Sequence, residues 1–154
     1  MEVEERKYDF LKYWRIIRYY FRVKYDLSQE DLDMLLFLFS EKYFKVDDML
    51  KFAKSMTWDR NRINRLKNKG WIEIFRRHNK NSATIYQLTY KASRVVTSLY
   101  RIVNGGRISL SSQSPLHKKK LKWLDHTYKQ MIIKMNDEIY EMRLKKQQQH
   151  LFPE

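Results

Sequence analysis

The chain has 154 residues and a formal net charge of +14 at pH 7, with 32 Lys and Arg against 18 Asp and Glu. This length allows one domain with a hydrophobic core. The absence of cysteine excludes disulfide and thiolate chemistry. The charge favours a polyanionic partner such as nucleic acid or an anionic membrane surface. Because the chain has neither a signal-peptide core nor the roughly 18–20 apolar residues of a membrane span, we expect a soluble cytoplasmic protein with no membrane partner.

The first predicted helix spans residues 6–25 and is apolar on most sides. Phe10, Trp14, Ile17 and Phe21 recur at helical spacing. A helix of this kind has to be covered, either by its own domain or by a partner chain.

The second predicted helix begins after Ser28, which can cap its first turn. Asp31 occupies the third helical position, and Leu27 and Leu32 flank the cap as in a hydrophobic staple. The expected buried stripe comprises Leu32, Leu35, Leu36 and Phe39.

A third helix is predicted to start near Asp47, and a fourth is predicted to follow a break and to begin with Thr57 as its cap. We expect the fourth helix to end at Gly70, a left-handed C-terminal cap. The expected inward residues of the third helix are Met49, Phe52, Ala53 and Met56.

Beyond Gly70 the sequence pattern changes from helical to extended. The segments "WIEIFRRH" and "ATIYQL" are rich in β-branched and aromatic residues, and the polar tip "NKNS" joins them. This pattern predicts a two-stranded hairpin over about residues 71–88.

Two helices complete the prediction. One begins at Thr89 and ends at Gly105-Gly106, with Ala92, Val95, Val96, Leu99 and Val103 inward, and a loop covers residues 105–116. The last runs from about residue 117 to 146, and the tail beyond it is expected to fray. Its expected inward residues are Leu121, Leu124, Tyr128, Met131, Met135, Ile139 and Met142.

The predicted order of helix, helix, turn, helix and β-hairpin is that of a winged helix-turn-helix. Its recognition helix would be residues 58–69, with Ile63 and Leu66 inward and Trp58 on the flank. We therefore predict a mainly α fold with a small β-hairpin wing and additional N- and C-terminal helices. The whole chain 1–154 would form one domain, with residues 26–104 as the winged-helix core and 6–25 and 117–146 as flanking helices.

The outward face of the recognition helix has the chemistry of base contacts. Asn can bond bidentately to adenine and Arg to guanine in the major groove. Residues 57–80 contain eight basic and two acidic side chains, a net +6, which would gain affinity on DNA by counterion release. The alternative is a solvated surface helix that is merely polar. The predicted DNA-contacting residues are Thr57, Arg60, Asn61, Asn64, Arg65, Asn68, Arg76, Arg77 and Lys80.

The segments "LSQEDLDMLLFLF", "VDDMLKFAKSMTWDRNRINRLKNKGWIEI" and "YQLTYKASRVV" resemble the core of winged-helix proteins of the multiple-antibiotic-resistance regulator (MarR) type, over about residues 10–105. The resemblance implies a dimeric transcription regulator. Residues 57–68 would contact the major groove and 76–80 the adjacent minor groove, although "RRHNKNS" lacks the Asp of the family's usual Asp-Arg-Arg-type wing signature. The first and last helices would form the dimer, and the residues predicted for that interface are Trp14, Ile17, Phe21, Leu124, Tyr128 and Met135.

Other chemistry has no support in the sequence, so we predict neither a cofactor, nor a metal site, nor an enzyme. The histidines at 78 and 150 lie in other elements than His117 and His126, and these two are nine residues apart on opposite faces of the last predicted helix, so they cannot bind one metal ion. The chain also has no Gly-rich phosphate loop and no G-x-S-x-G motif. A different class of function stays open as the alternative. The chain would then be a structural or assembly protein, for example of a phage virion, that uses the winged-helix module for contacts with other virion proteins.

Overall fold

The computed structural model describes residues 11–56, 58–109 and 123–151. This part of the chain is mainly helical, with one small antiparallel sheet, so the predicted mainly α fold with a β-hairpin is confirmed. The chain divides into two compact units, Asp26–Ser98 and a second formed by Met1–Tyr25 with Leu99–Glu154. The helices are α1 (Trp14–Tyr25), α2 (Gln29–Glu41), α3 (Val46–Leu50), α4 (Ala53–Met56), α5 (Arg60–Asn68), α6 (Tyr90–Val103) and α7 (Trp123–Leu151), and the strands are β1 (Tyr43–Phe44), β2 (Ile72–Arg76) and β3 (Ile85–Leu88).

Helix α2 opens the unit Asp26–Ser98 with the predicted capping box. The Ser28 hydroxyl accepts a hydrogen bond from the Asp31 amide at 3.1 Å, and the Asp31 carboxylate accepts one from the Ser28 amide at 3.3 Å. These bonds satisfy amides at the start of the helix that have no partner within it. Of the predicted stripe, Leu32 and Leu35 are fully buried, whereas Leu36 and Phe39 are half-buried. Met34 and Leu38 of the same helix are also fully buried.

The predicted third helix is two short helices, α3 and α4. Met49 is buried as expected, but Phe52 and Met56 are exposed, so their predicted inward position is wrong. Trp58, which was predicted on the flank, is instead fully buried. Its ring packs edge-on against Phe37 at 5.2 Å between centroids and also contacts the ring of Phe52 at 6.3 Å, so Phe52 covers this buried ring from the solvent side.

Helix α5 begins at Arg60 with Asp59 as its cap, since the Asp59 carboxylate accepts a hydrogen bond from the Arg62 amide at 2.8 Å. The predicted cap, Thr57, lies outside the described residues. The end at Gly70 is confirmed, because Gly70 has φ +81° and the amide of the next residue, Trp71, bonds the Leu66 carbonyl at 2.9 Å. This is a Schellman motif, which satisfies the last carbonyls of the helix.

Strands β2 and β3 form the predicted antiparallel hairpin, with Ile72 opposite Leu88. The sheet has a third strand that was not predicted, β1, which pairs with β3 so that Tyr43 lies opposite Gln87 and the order is β1-β3-β2. A strand of two residues has no periodic pattern that sequence analysis could detect. After β3, Thr89 caps α6 as expected, because its hydroxyl accepts a hydrogen bond from the Ala92 amide at 3.2 Å.

The second unit contains α1 and α7. The rings of Tyr19 and Tyr128 stack at 4.0 Å between centroids, and the Tyr13 hydroxyl donates a hydrogen bond to the Glu138 carboxylate at 2.5 Å. Helix α6 ends at Val103, and the turn that closes it contains Gly105 with φ +98°, as predicted. Among the described residues, no helix combines the length and the apolar character that a membrane span requires.

Helix α7 differs from the prediction at both of its ends. The predicted start, with Leu121 and most of the loop before it, lies outside the described residues. The helix continues to Leu151, so the tail that was expected to fray is helical as far as that residue. Of the predicted inward positions, Met135 is buried, but Met131 is exposed and Ile132 is buried instead. The buried face is therefore rotated slightly from the expected one.

Candidate nucleic-acid interface

Helix α5 has one buried apolar face and one exposed polar face. Ile63 and Leu66 are buried, as predicted, and they fix the helix against its own unit. The opposite face is exposed and contains no acidic residue, because α5 as a whole contains neither Asp nor Glu. The predicted orientation of the helix is therefore confirmed, with Asn61, Asn64, Arg65 and Asn68 on the exposed side.

The three asparagines of this face have amide groups that are available to a ligand. Within the described part of the chain, the side chains of Asn61, Asn64 and Asn68 make no hydrogen bond. Each amide offers two donor hydrogens and an acceptor oxygen. Three unsatisfied amides in consecutive turns of one helix face form a surface that can bond the edges of bases.

Two arginines of α5 share one buried carboxylate. Asp31 of α2 is only 3% exposed, and its Oδ1 accepts hydrogen bonds from Arg62 Nη1 at 2.7 Å and from Arg65 Nη2 at 3.3 Å. Burial raises the pKa of Asp31, but the hydrogen bonds from Arg62, Ser28 and Arg65 outweigh burial and lower that pKa below its usual value. Asp31 is therefore a charged group that joins α2 to α5.

The two arginines differ in how far they extend into solvent. The Arg62 side chain is 17% exposed, and its Nε is buried without a hydrogen-bond partner among the described residues. Its charge is compensated inside the protein, so Arg62 does not belong to the free basic surface that the sequence suggested. The Arg65 side chain is 47% exposed, so it is accessible to a ligand at the surface of α5.

The other cations of α5 and the hairpin are free or only loosely held. The Arg60 guanidinium lies 3.8 Å from the Asp47 carboxylate, and both groups are exposed, which makes the pair weak. The Lys67 ammonium lies 5.7 Å from the centre of the Tyr86 ring. No ion pair within the described residues involves the remaining four, Lys69, Arg76, Arg77 and Lys80, all of which are exposed.

The positive charge of the unit Asp26–Ser98 is concentrated in this region. The unit contains fourteen basic and nine acidic residues, a net +5, whereas residues 57–80 contain eight basic and two acidic ones, a net +6. The rest of the unit is therefore slightly negative, by one charge. A polar surface that served only solubility would not need such a separation of charge.

The tip of the hairpin is an ordered turn that carries Lys80. Asn79 and Ser82 form an isolated bridge, with the Asn79 amide donating to the Ser82 carbonyl at 3.0 Å. The Asn79 side chain accepts further hydrogen bonds from the Asn81 amide and the Ser82 hydroxyl, both at 3.0 Å. Lys80 lies between the bridged residues and is exposed at the tip of this hydrogen-bonded turn.

The six residues predicted for a dimer interface differ in their exposure. Ile17, Phe21 and Met135 are fully buried within the chain itself, which corrects the prediction, because their apolar surface is already removed from water. Trp14 and Tyr128 are half-buried. Leu124 belongs to α7, but its side chain lies outside the described part.

The sequence indicated a capping role for Asp31 but not its contact with the two arginines. A signal was present, since Asp31, Leu35 and Leu38 are spaced by four and three residues and share the apolar stripe of α2. A carboxylate on the buried stripe of a helix requires a cation or several donors. The sequence does not indicate which cation supplies them, because Arg62 is 31 residues away.

No protein-family model, no curated protein and no solved structure matches this chain. The described residues contain no group of three or more His, Asp and Glu side chains arranged to hold a metal ion. The features that bear on function are therefore the two-sided helix α5, the basic hairpin and the carboxylate that joins α5 to α2.

Proposed function

We propose that the protein binds double-stranded DNA as a winged helix-turn-helix, with α5 in the major groove and the β2–β3 hairpin on the adjacent backbone or minor groove. The observation that carries the proposal is the exposed face of α5, which combines three free amides and a half-exposed arginine with no acidic group. Two contacts support treating the helices and the hairpin as one module. Asp31 joins α2 to α5, and β1 joins the turn after α2 to the hairpin.

The dimensions of α5 suit the major groove, which is about 12 Å wide and admits an α-helix. Its nine residues have a length of about 13 Å at 1.5 Å per residue, enough to follow about four base pairs. Asn61, Asn64 and Asn68 would bond adenine, and Arg65 would bond guanine. We therefore expect a preferred half-site that is rich in A·T pairs and contains a guanine.

The hairpin would supply contacts to phosphate. Arg76 ends β2, Arg77 follows it, and Lys80 extends from the tip. Phosphate contacts set the position of a protein on the duplex without selecting a sequence. Together with the cations on the flanks of α5, they would give the proposed regulator its salt-dependent affinity.

A second copy of the chain is the partner that we propose for α7. Among the described residues of this helix, five large apolar side chains are exposed, and four of them form one set that includes Tyr140 at 57% and Leu151 at 72%. They are spaced by seven, four and seven residues, which places them on one line along an α-helix, as in a coiled-coil seam. These residues are Ile133, Tyr140, Leu144 and Leu151. A dimer formed along this line would bind a site with two-fold symmetry, as expected for a transcription regulator.

The DNA proposal is tested by selecting preferred duplexes from a random pool and measuring the affinity of the chain for them. We expect salt-sensitive binding, and we expect the Asn64→Ala variant to lose about 1–3 kcal/mol on the selected site. The matched control is Asn104→Ala, which removes an exposed amide outside α5 and should leave the affinity unchanged. Lack of any salt-sensitive affinity for duplex DNA at low ionic strength would refute the proposal. The assembly alternative, a virion component, would then predict a large protein complex.

The dimer is tested separately by sedimentation velocity at micromolar concentration. Leu144→Glu places a charge on the exposed apolar line and should shift the chain to monomer. Met131→Glu is the matched control, because Met131 is equally exposed at 40% but lies on a different face of α7. A wild-type chain that is already monomeric, or equal effects of the two variants, would contradict this interface.

A further inference from the structure

The carboxylate of Asp31 is surrounded by donors from two helices. It accepts hydrogen bonds from Arg62, Arg65 and the Ser28 amide. The Ser28 hydroxyl also accepts from Arg62 Nη1, at 3.2 Å. A buried carboxylate with this many donors is fixed in position, and it fixes the groups that bond to it.

The two arginines are held in different ways. Arg62 Nη1 bonds both Asp31 and Ser28, so this guanidinium is turned into the protein. Arg65 uses one of its Nη2 donors on Asp31 and is half-exposed. A guanidinium has five N–H donors in one plane, so four remain on Arg65 for a ligand.

Anchoring one edge of Arg65 changes what its other edge can do. A free arginine side chain loses considerable rotamer freedom when a ligand immobilises it, and that loss weakens binding. An arginine whose plane is already set by a carboxylate has lost part of that freedom before the ligand arrives. The remaining donors can then form the paired hydrogen bonds to O6 and N7 of guanine.

We infer that Asp31 is a positioning residue for sequence recognition. It holds the Arg65 guanidinium so that its free donors face a guanine, and it keeps Arg62 away from the DNA phosphates. This inference rests on the proposed function, since it assigns a role in duplex binding to a residue that does not itself contact DNA. Asp31 thereby sets the selectivity of the reading face while lowering its general attraction for phosphate.

The test compares Asp31→Asn with Asp33→Asn in the full chain. Both variants remove one negative charge from α2, but the Asp33 carboxylate bonds Gln29 and no arginine. Affinity is measured for the selected duplex, for the same duplex with its guanines replaced, and for an unrelated duplex. The readout is the ratio of the first two affinities, which wild-type protein should hold at about 5- to 150-fold.

We expect Asp31→Asn to bring this ratio close to one while binding to the unrelated duplex becomes equal or stronger, because two arginines are released. Asp33→Asn should keep the wild-type ratio. A purely structural role for Asp31 would weaken binding to all three duplexes together and keep the ratio, and that result would overturn the inference. Wild-type protein that binds no duplex DNA would instead refute the proposed function, and the inference with it.

Asp31→Glu provides a second measurement if circular dichroism shows that the Asp31→Asn variant is unfolded. It keeps the charge but moves the carboxylate by one methylene, so it should lower the guanine ratio without changing the dependence of affinity on salt. Arg65→Lys should also lower the guanine ratio, since Lys cannot form the paired hydrogen bonds to guanine. An unchanged ratio in Asp31→Glu would count against the inference.

Discussion

The two arginines at the end of β2 allow the contribution of the hairpin to DNA affinity to be measured. Arg76 and Arg77 are exposed and make no ion pair within the described residues. Replacing both by Ala therefore removes two cations without leaving a buried partner uncompensated. We expect this double variant to fold as the wild type does and to bind every duplex more weakly.

The magnitude follows from counterion release. Each phosphate contact contributes about 0.9 to the slope of the logarithm of affinity against the logarithm of salt concentration. Six cations of α5 and the hairpin are available for such contacts, because Arg62 is compensated by Asp31 and we assign Arg65 to a base contact in the proposed complex. One chain should therefore show a slope of about −5.4, and the double variant should reduce it in magnitude by about 1.8. At 0.1 M salt the same loss corresponds to about 60-fold in affinity.

Fluorescence anisotropy of a labelled duplex between about 50 and 200 mM salt gives both quantities. The control is Arg94→Ala, which removes an exposed cation of α6 outside residues 57–80 and should leave the slope unchanged. Thermal unfolding of each variant checks that the fold is intact. If the double variant has the wild-type slope, the hairpin does not contact phosphate and the counting of cations is wrong.

Three further predictions concern stability. Gly70→Ala should cost about 1–2 kcal/mol in urea denaturation, because φ is +81°, although the added Cβ would have no atom within 4 Å apart from those of Gly70 and its chain neighbours. Gly106→Ala should cost more, because its Cβ would lie 2.7 Å from the Arg101 carbonyl oxygen. The pKa of Asp31 is lowered on folding, so the stabilisation of the fold by the Asp31 carboxylate should be present above pH 3.8 and should be lost as the pH falls further. Asp31→Asn should remove this pH dependence of the free energy of unfolding. Burial and a neighbouring carboxylate raise the pKa of Tyr13 from 10.0 to about 12, so stability should fall as pH rises from 10 to 12, and Tyr13→Phe should abolish that part of the fall.

The elements that could be predicted from the sequence depend on residues close together in the chain. The capping box at Ser28, the glycine end at Gly70 and the cap at Thr89 each involve a few consecutive positions whose side chains or φ angles determine the local backbone. The hairpin follows from two β-rich segments and a polar tip. The exposed face of α5 was predicted for the same reason, since the helical period alone places Ile63 and Leu66 opposite the asparagines.

The features that were missed or wrong depend on contacts between distant residues. The burial of Trp58, which precedes α5, involves Phe37 of α2, and the pairing of Asp31 with Arg62 joins residues 31 positions apart. The predicted dimer residues show the same difficulty. An apolar helical stripe demands burial, but it does not distinguish a core within one chain from an interface between two chains, and Ile17 proved to be buried within its own chain.

The two-residue strand β1 has a consequence for the order in which this protein folds. Its pairing with β3 joins Tyr43 to Gln87 and closes a loop that contains α3, α4, α5 and β2. Closing a loop costs entropy that grows with the logarithm of its length, and contacts between distant residues therefore form late. The short helices α3 and α4 are too short to be stable by themselves. During synthesis, the β1–β3 pairing that closes the loop around α5 consequently cannot form until Leu88, the last residue of β3, has emerged from the ribosome.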